Sequence, residues 1–270
     1  MQIAGKDLSN ELFFIAGPCA IETLDHALYC AAEISRVAEA FGVTIIYKSS
    51  FDKANRTSDS SFRGVGIDEG LRILQQVRDQ IELPILTDLH DLSQAGAVCP
   101  VVDIVQTPAF LCRQTDFIKG VAAYGKPMNI KKGQWMAPQD MAGVIDKCRA
   151  AGNKNVMSCE RGTAFGYGNL VVDMRGIKIM HGATQRPVCF DATHSVQLPG
   201  ALGNASGGDR TMVPSLASAA VAAGCDAVFM ECHPDPDNAP CDGPNSIHLD
   251  SLYNIVRRLV TIRRAIEADL

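Results

Sequence analysis

Four side chains with metal-ligand chemistry stand far apart in the sequence: Cys19, His194, Glu231 and Asp242. A thiolate, an imidazole and two carboxylates form a donor set suited to one divalent ion such as Zn, Fe, Mn or Co. Their spacing is too wide for a local finger, so only a fold that returns distant strands to one place can join them. Each also has an ordinary role. Cys19, in the run FIAGPCAIET, could be a small buried thiol, and His194 a hydrogen-bonded structural histidine. Cys19 could also act as a nucleophile with His194 as its base, given a depressed thiol pKa. The residues alone leave these three roles for Cys19 open.

A second group is cationic: Lys48, Lys53, Arg56, Lys131 and Arg161. Scattered on a surface they would be solvated charges. Gathered at one mouth they would repel one another unless an anion joined them. Phosphate and carboxylate are the natural guests, and arginine can grip either through two parallel hydrogen bonds.

The elements that must position these groups can be read from hydropathy. Eight short, nearly continuous apolar runs read as parallel strands covered on both faces: Leu12–Ala16, Thr44–Tyr47, Pro84–Thr87, Ile104–Thr107, Met128–Ile130, Val156–Cys159, Val188–Phe190 and Ala227–Met230. Amphipathic stretches between them predict helices at Asp25–Phe41, Asp68–Ile81, Pro138–Ala151, Pro214–Ala223 and Leu249–Ala268. This alternation predicts an α/β protein, a single (β/α)8 barrel domain over residues 1–270. A doubly wound open sheet is the alternative, and no glycine-rich dinucleotide fingerprint supports it. Asn169–Met180 reads as a small hairpin inserted after the sixth strand, with Arg175-Gly176 as its turn.

In such a barrel the chemistry sits just past the C-terminal strand ends. Both groups lie there. Strand one leads into Gly17-Pro18-Cys19, strand two into Lys48-Ser49-Ser50 and Lys53, and strand three into Asp88 and His90. Strand four ends near Gln106, ahead of Phe110 and Arg113. Strand five ends in Lys131-Lys132, strand six in Glu160-Arg161, strand seven in Asp191 and His194, and strand eight in Glu231 and His233. Barrel closure sets strand one against strand eight, so the four metal-ligand candidates can meet.

Composition narrows the function classes. The 270 residues are 47% hydrophobic with net charge −5, and no basic run offers a nucleic-acid footprint. No segment approaches the ~18 uncharged apolar residues of a membrane span. The opening MQIAGKDLSN has no basic segment leading into an apolar one, so no secretory leader is expected. Ten scattered cysteines without a CxxC pair suggest buried thiols in a reducing cytoplasm.

The motifs AGPCAIE, YKSSFDKANRTS, ILTDLH, IVQTPAFLCRQTD, NIKKGQ, CERGTAFGYGNLVVDM, FDATHSVQ, GNASGGDR and ECHPDPDNAPCDGP run the length of the chain. Together they resemble the 3-deoxy-D-manno-octulosonate 8-phosphate synthase family (2-dehydro-3-deoxyphosphooctonate aldolase). The resemblance implies a (β/α)8 barrel, usually a homotetramer. It implies condensation of phosphoenolpyruvate with D-arabinose 5-phosphate and water, releasing inorganic phosphate, on the way to lipopolysaccharide. The related 3-deoxy-D-arabino-heptulosonate 7-phosphate synthases, which use erythrose 4-phosphate, typically carry Lys-Pro-Arg-Thr where this chain has Lys53-Ala54-Asn55-Arg56. Thr57 stands where many members have serine. In the metal-independent class asparagine replaces the cysteine; Cys19 together with Cys241-Asp242-Gly243 resembles the metal-dependent class.

Carried over by position, the resemblance assigns Cys19, His194, Glu231 and Asp242 to one divalent ion (Zn, Fe, Mn, Co or Cd), with no organic cofactor. Lys131 and Arg161 would hold the phosphate of phosphoenolpyruvate. Lys48, Lys53 and Gln106, helped by Ser50, would surround its carboxylate and reacting carbons. Asn55, Arg56 and Thr57 would hold arabinose 5-phosphate. Phe110 and Arg113 would reach a neighbouring subunit's site. Lys53, Asn55, His194 and Asp242 are the residues assigned to catalysis, and Ala201–Arg210 is the expected lid.

Overall fold

The computed structural model describes residues 1–55, 62–200 and 207–268. Eight parallel strands form the barrel: β1 (Phe13–Gly17), β2 (Ile45–Lys48), β3 (Ile85–Asp88), β4 (Ile104–Thr107), β5 (Met128–Lys131), β6 (Val156–Glu160), β7 (Val188–Asp191) and β8 (Ala227–His233). Each pairs with the next, and β8 closes the ring by pairing with β1, Glu231 opposite Gly17. The expected (β/α)8 barrel is therefore the fold.

The helices are α1 (Leu24–Phe41), α2 (Ile67–Ile81), α3 (Ala95–Val101), α4 (Thr115–Ala122), α5 (Met141–Ala150), α6 (Arg175–Thr184), α7 (Val213–Ala222) and α8 (Leu252–Ala268). Thr23 caps α1 by accepting the His26 N–H, and Gly42 ends it in the left-handed conformation. Hydropathy had not marked α3, α4 or α6. The first two are only seven and eight residues long, too short for a clear period, and α3 carries Pro100.

The expected Asn169–Met180 hairpin does not form. A short antiparallel pair does follow β6, but it joins Thr163–Ala164 to Leu170–Val171. Arg175-Gly176 opens α6 instead of turning a hairpin. The Arg175 N–H is held by the Asp173 carboxylate, and Gly176 lets the helix approach Pro138, whose Cγ would lie 3.2 Å from a Cβ there.

Strand alternation divides the core in two. Phe14, Ala16, Ile45, Tyr47 and Ile85 face outward and pack under the helices. Phe13, Ile15, Ile46, Leu86, Ile104, Met157, Cys189 and Phe229 fill the barrel interior, joined at the bottom by Met1, Ile3 and Leu8 from the N-terminal segment. Those three come from a small hairpin that pairs Gln2–Ile3 with Lys6–Asp7. The next inward positions up each strand are Lys48, Asp88, Gln106, Lys131, Arg161, Asp191 and Glu231, all buried. The same period that builds an apolar plug thus sets a polar layer above it.

Gly17 governs where β1 releases the chain. A Cβ there would lie 2.0 Å from the Lys48 carbonyl oxygen, so β1 and β2 approach closely only because residue 17 is glycine. Gly17→Ala is expected to destabilise the fold by about 1–3 kcal/mol, read as a lower unfolding midpoint in denaturant. An unchanged midpoint would show that this gap opens freely.

Candidate active site

The polar layer is a network of compensated charges. Lys48 Nζ donates to Glu231 Oε1 (2.7 Å) and to the Cys19 carbonyl (3.1 Å). Lys131 Nζ pairs with Asp191 Oδ2 at 2.7 Å. Lys53 Nζ donates to Ser50 Oγ (3.0 Å), and Ser50 Oγ donates to Asp88. Gln106 donates to Asp88 Oδ1 (2.7 Å) and accepts from Asn129 (2.8 Å). Arg161 donates to Gln197 Oε1 (3.0 Å), and Gln197 donates to Asp242 Oδ1 (3.2 Å). The expected mutual repulsion of the cations is therefore met by carboxylates of the protein itself. Phe229 forms part of the floor, its ring centroid 4.0 Å from Lys131 Nζ and 5.5 Å from Lys48 Nζ.

Burial and partner charge oppose each other here, and the charges win. Burial raises the carboxyl pKa of Glu231, Asp191 and Asp88. Even so, Lys48, His194 and Lys53 hold Glu231 well below the usual carboxylate range. His194 and Lys131 do the same for Asp191, and Lys48 and Lys53 for Asp88. Burial works against the Lys131 ammonium, but Asp191 and other acidic neighbours raise its pKa. For Lys53 burial is likewise outweighed by the carboxylates around it, Glu231 and Asp88 among them.

The ligand candidates converge. Cys19, Glu231 and Asp242 place ligand atoms within 4.8 Å of one another. Cys19 Sγ donates to Asp242 Oδ2 at 3.1 Å. His194 Nε2 stands 3.8 Å from Glu231 Oε2 and 3.9 Å from Asp242 Oδ2. Its Nδ1 bonds Asp191 Oδ1 at 3.1 Å, and the His194 backbone N–H bonds the same oxygen. A carboxylate on Nδ1 turns Nε2 toward the other donors, the arrangement that orients histidine ligands.

The residues fit a divalent ion. Glu231 Oε2 is buried without a hydrogen-bond partner among the described residues. Burial, then contact with Cys241 and the nearby carboxylate of Asp242, push the Cys19 thiol well above its ordinary pKa. A buried thiol beside two carboxylates is a poor nucleophile, but a cation among them would favour its thiolate. The geometry thus favours the ligand role of Cys19 over the nucleophilic one.

The other expected residues divide by position. Lys48, Lys53, Lys131 and Arg161 line one cavity with His194, Glu231 and Asp242. Asn55 and Phe110 stand at its exposed rim, with Phe110 stacked on Trp135. Ser50 and Gln106 are buried and hold Asp88. Arg113 is exposed and is not among the cavity lining; its carbonyl accepts from Lys147. Arg56 and Thr57, and residues 201–206 of the expected lid, lie outside the described residues. Lys132 turns away from the cavity into backbone carbonyls and Glu160.

Asp88, Asp191 and Gln197 were missing from the expected site set. Asp88 and Asp191 could have been found by continuing the inward parity of β3 and β7 by one step. Gln197 follows a 3-10 turn (His194–Val196), so no period marks it.

The DAHP synthetase I family matches residues 2–267. The chain belongs to that family. It is 59% identical to a 2-dehydro-3-deoxyphosphooctonate aldolase of Magnetococcus marinus, over 95% of this chain and 91% of the relative. It is 55% identical to one from Methylococcus capsulatus (97% and 92%) and 54% identical to one from Acidithiobacillus ferrooxidans (99% and 95%). Among the described residues no helix is long and apolar enough to cross a membrane.

The depressed carboxylates give stability a pH dependence. At low pH the unfolded chain binds protons first, because its carboxyls keep their ordinary pKa near ~4. Stability from Asp88, Asp191 and Glu231 is therefore fully present above about pH 5 and is lost as pH falls toward their lowered folded values. Asp191→Asn should be less stable at pH 7 and flatter in the acid range. An equally steep acid limb would remove Asp191 from this account.

Proposed function

We propose that this chain condenses phosphoenolpyruvate with D-arabinose 5-phosphate and water, forming 3-deoxy-D-manno-octulosonate 8-phosphate and inorganic phosphate. The names of its relatives support the reaction. The observation that carries the residue assignment is one cavity lined by the cations Lys48, Lys53, Lys131 and Arg161 together with His194, Glu231 and Asp242, with the Cys19 thiol bonded to Asp242 beside it.

Lys131 and Arg161 hold the phosphate of phosphoenolpyruvate. Arg161 is buried, and its NH1 lacks a hydrogen-bond partner among the described residues, so it can receive an anion without first breaking an ion pair at that nitrogen. Lys53 sits between the substrates. Carbon 3 of the enol phosphate attacks the sugar aldehyde, and water captures the cationic character left at carbon 2. The adduct then loses phosphate by C–O cleavage. Two weak partners react because fixed cations hold both anions in near-attack geometry. Lys53 stays protonated beside Asp88 and Ser50, so it can stabilise the developing alkoxide or deliver its proton. Asn55 and Phe110 contact the sugar phosphate from the rim, with Arg56 and Thr57 on its phosphate.

Cys19, His194, Glu231 and Asp242 would hold one divalent ion, which supplies orientation of the aldehyde oxygen or acidification of a bound water. The enzyme acts in the cytoplasm as a homotetramer, with Phe110 and Arg113 reaching a neighbouring site. The exposed Phe110–Trp135 stack supports that contact surface.

Phosphate release should be seen with arabinose 5-phosphate and be much weaker with erythrose 4-phosphate; the reverse preference would assign the heptulosonate reaction instead. Chelation should abolish turnover and Mn²⁺, Co²⁺ or Cd²⁺ should restore it, whereas full activity in verified metal-free protein would remove the metal from the reaction. Cys19→Asn should retain some turnover without metal, and a folded variant inert under every metal condition would count against that.

A further inference from the structure

One cluster of ionisable side chains lies directly behind the ligand set. Glu22, His26 and His233 place ligand atoms within 4.8 Å of one another. That spacing alone suits a second metal ion, but the hydrogen bonds oppose it. The Asp235 backbone N–H donates to His233 Nδ1 at 3.0 Å, so Nδ1 keeps its lone pair and the ring proton sits on Nε2. Nε2 then donates to Glu22 Oε1 at 2.7 Å and has no lone pair to offer a cation. His26 packs its ring on His233, centroids 4.8 Å apart.

Chain position gives the Glu22–His233 bond its meaning. Glu22 follows Cys19 by three residues, and His233 follows Glu231 by two. The bond therefore ties together the two segments that deliver a thiol and a carboxylate to the ligand set. On its other side the Cys19 segment is fixed by β2 and the residues after it. The Ile21 N–H bonds the Ser50 carbonyl (2.9 Å), Ala20 bridges Ser50, and Lys48 Nζ holds the Cys19 carbonyl. Toward β8, the strand register ends at Gly17 opposite Glu231, and the Glu22–His233 bond continues the attachment beyond it.

We propose that Glu22 and the Nε2–H tautomer of His233 are positioning residues, whose hydrogen bond holds Cys19 in register with Glu231 for the divalent ion. The proposal rests on the metal-centre reading above, and the test separates the two.

Purified full-length protein is stripped of metal and titrated with Co²⁺ against a competing chelator while visible absorption is followed, because a thiolate ligand gives Co²⁺ a sulfur-to-metal charge-transfer band. Cys19→Ser should remove that band. Glu22→Ala and His233→Ala should each weaken Co²⁺ binding about 10–100-fold, the range for partners that orient ligands, and should shift the band. Glu22→Gln keeps an oxygen that accepts from Nε2–H and should bind Co²⁺ close to wild type. Thermal melts check folding of each variant. The Glu22 side chain is 30% exposed, so Glu22→Ala carries the test if His233→Ala does not fold.

Unchanged affinity and band in the alanine variants overturn the proposal and leave the metal centre standing. A band that survives Cys19→Ser overturns the metal centre and the proposal with it. A loss in Glu22→Gln equal to that in Glu22→Ala would place the effect in charge instead of the hydrogen bond, and would also overturn the proposal.

Discussion

Charge can be buried at the mouth of this barrel only because it is buried in compensating sets. Lys48 has Glu231, Lys131 has Asp191, and Asp88 lies 3.8 Å from Lys48 Nζ and is joined to Lys53 through Ser50. A lone ion at these depths would cost several kcal/mol, and removing one partner of such a pair leaves that cost uncovered. The site is accordingly a network in which each group's ionisation depends on its neighbours. An incoming phosphate or carboxylate does not enter an empty cationic hole. Under the proposed function it would compete with resident carboxylates for lysines already engaged, which would favour ligands that offer several oxygens at once.

The network depends on strand parity. Ile15, Ile46, Leu86 and Ile104 fill the barrel, and the residues two steps on are Gly17, Lys48, Asp88 and Gln106. A one-residue slip in any strand would send its charged residue outward beneath a helix and bring an apolar one into the cavity. Register and chemistry are thus specified by the same alternation. Gly17 is the exception that allows closure: a side chain there would collide with β2, so strand one contributes its chemistry from the loop, at Cys19.

How much of this was legible follows from the same physics. The eight strands could be read because parallel strands buried on both faces are continuous apolar runs. The convergence of Cys19, His194 and Glu231 could be read because each lies at or just past the end of such a run, whereas Asp242 comes from the loop after the eighth strand. The short helices α3 and α4 were hidden by length, and α6 by a glycine that serves close packing against Pro138 and looked like a turn. Asp88 and Asp191 are legible as inward strand-end acids, but their lysine partners lie on other strands, at Lys48 and Lys131, and that pairing is not written in the local sequence. Gln197 and the Glu22–His233 bond depend on loop paths that no periodicity encodes.

Phe229 sits at the junction of the apolar plug and the charged layer, its ring near both Lys131 and Lys48. A ring face attracts an ammonium group but accepts no proton and forms no competing ion pair. When an arriving anion draws a lysine away from its carboxylate, the ring remains as a constant partner through the exchange. Under the proposed function the floor would work as an electrostatic cushion, easing the hand-over of a buried cation from a protein acid to a substrate.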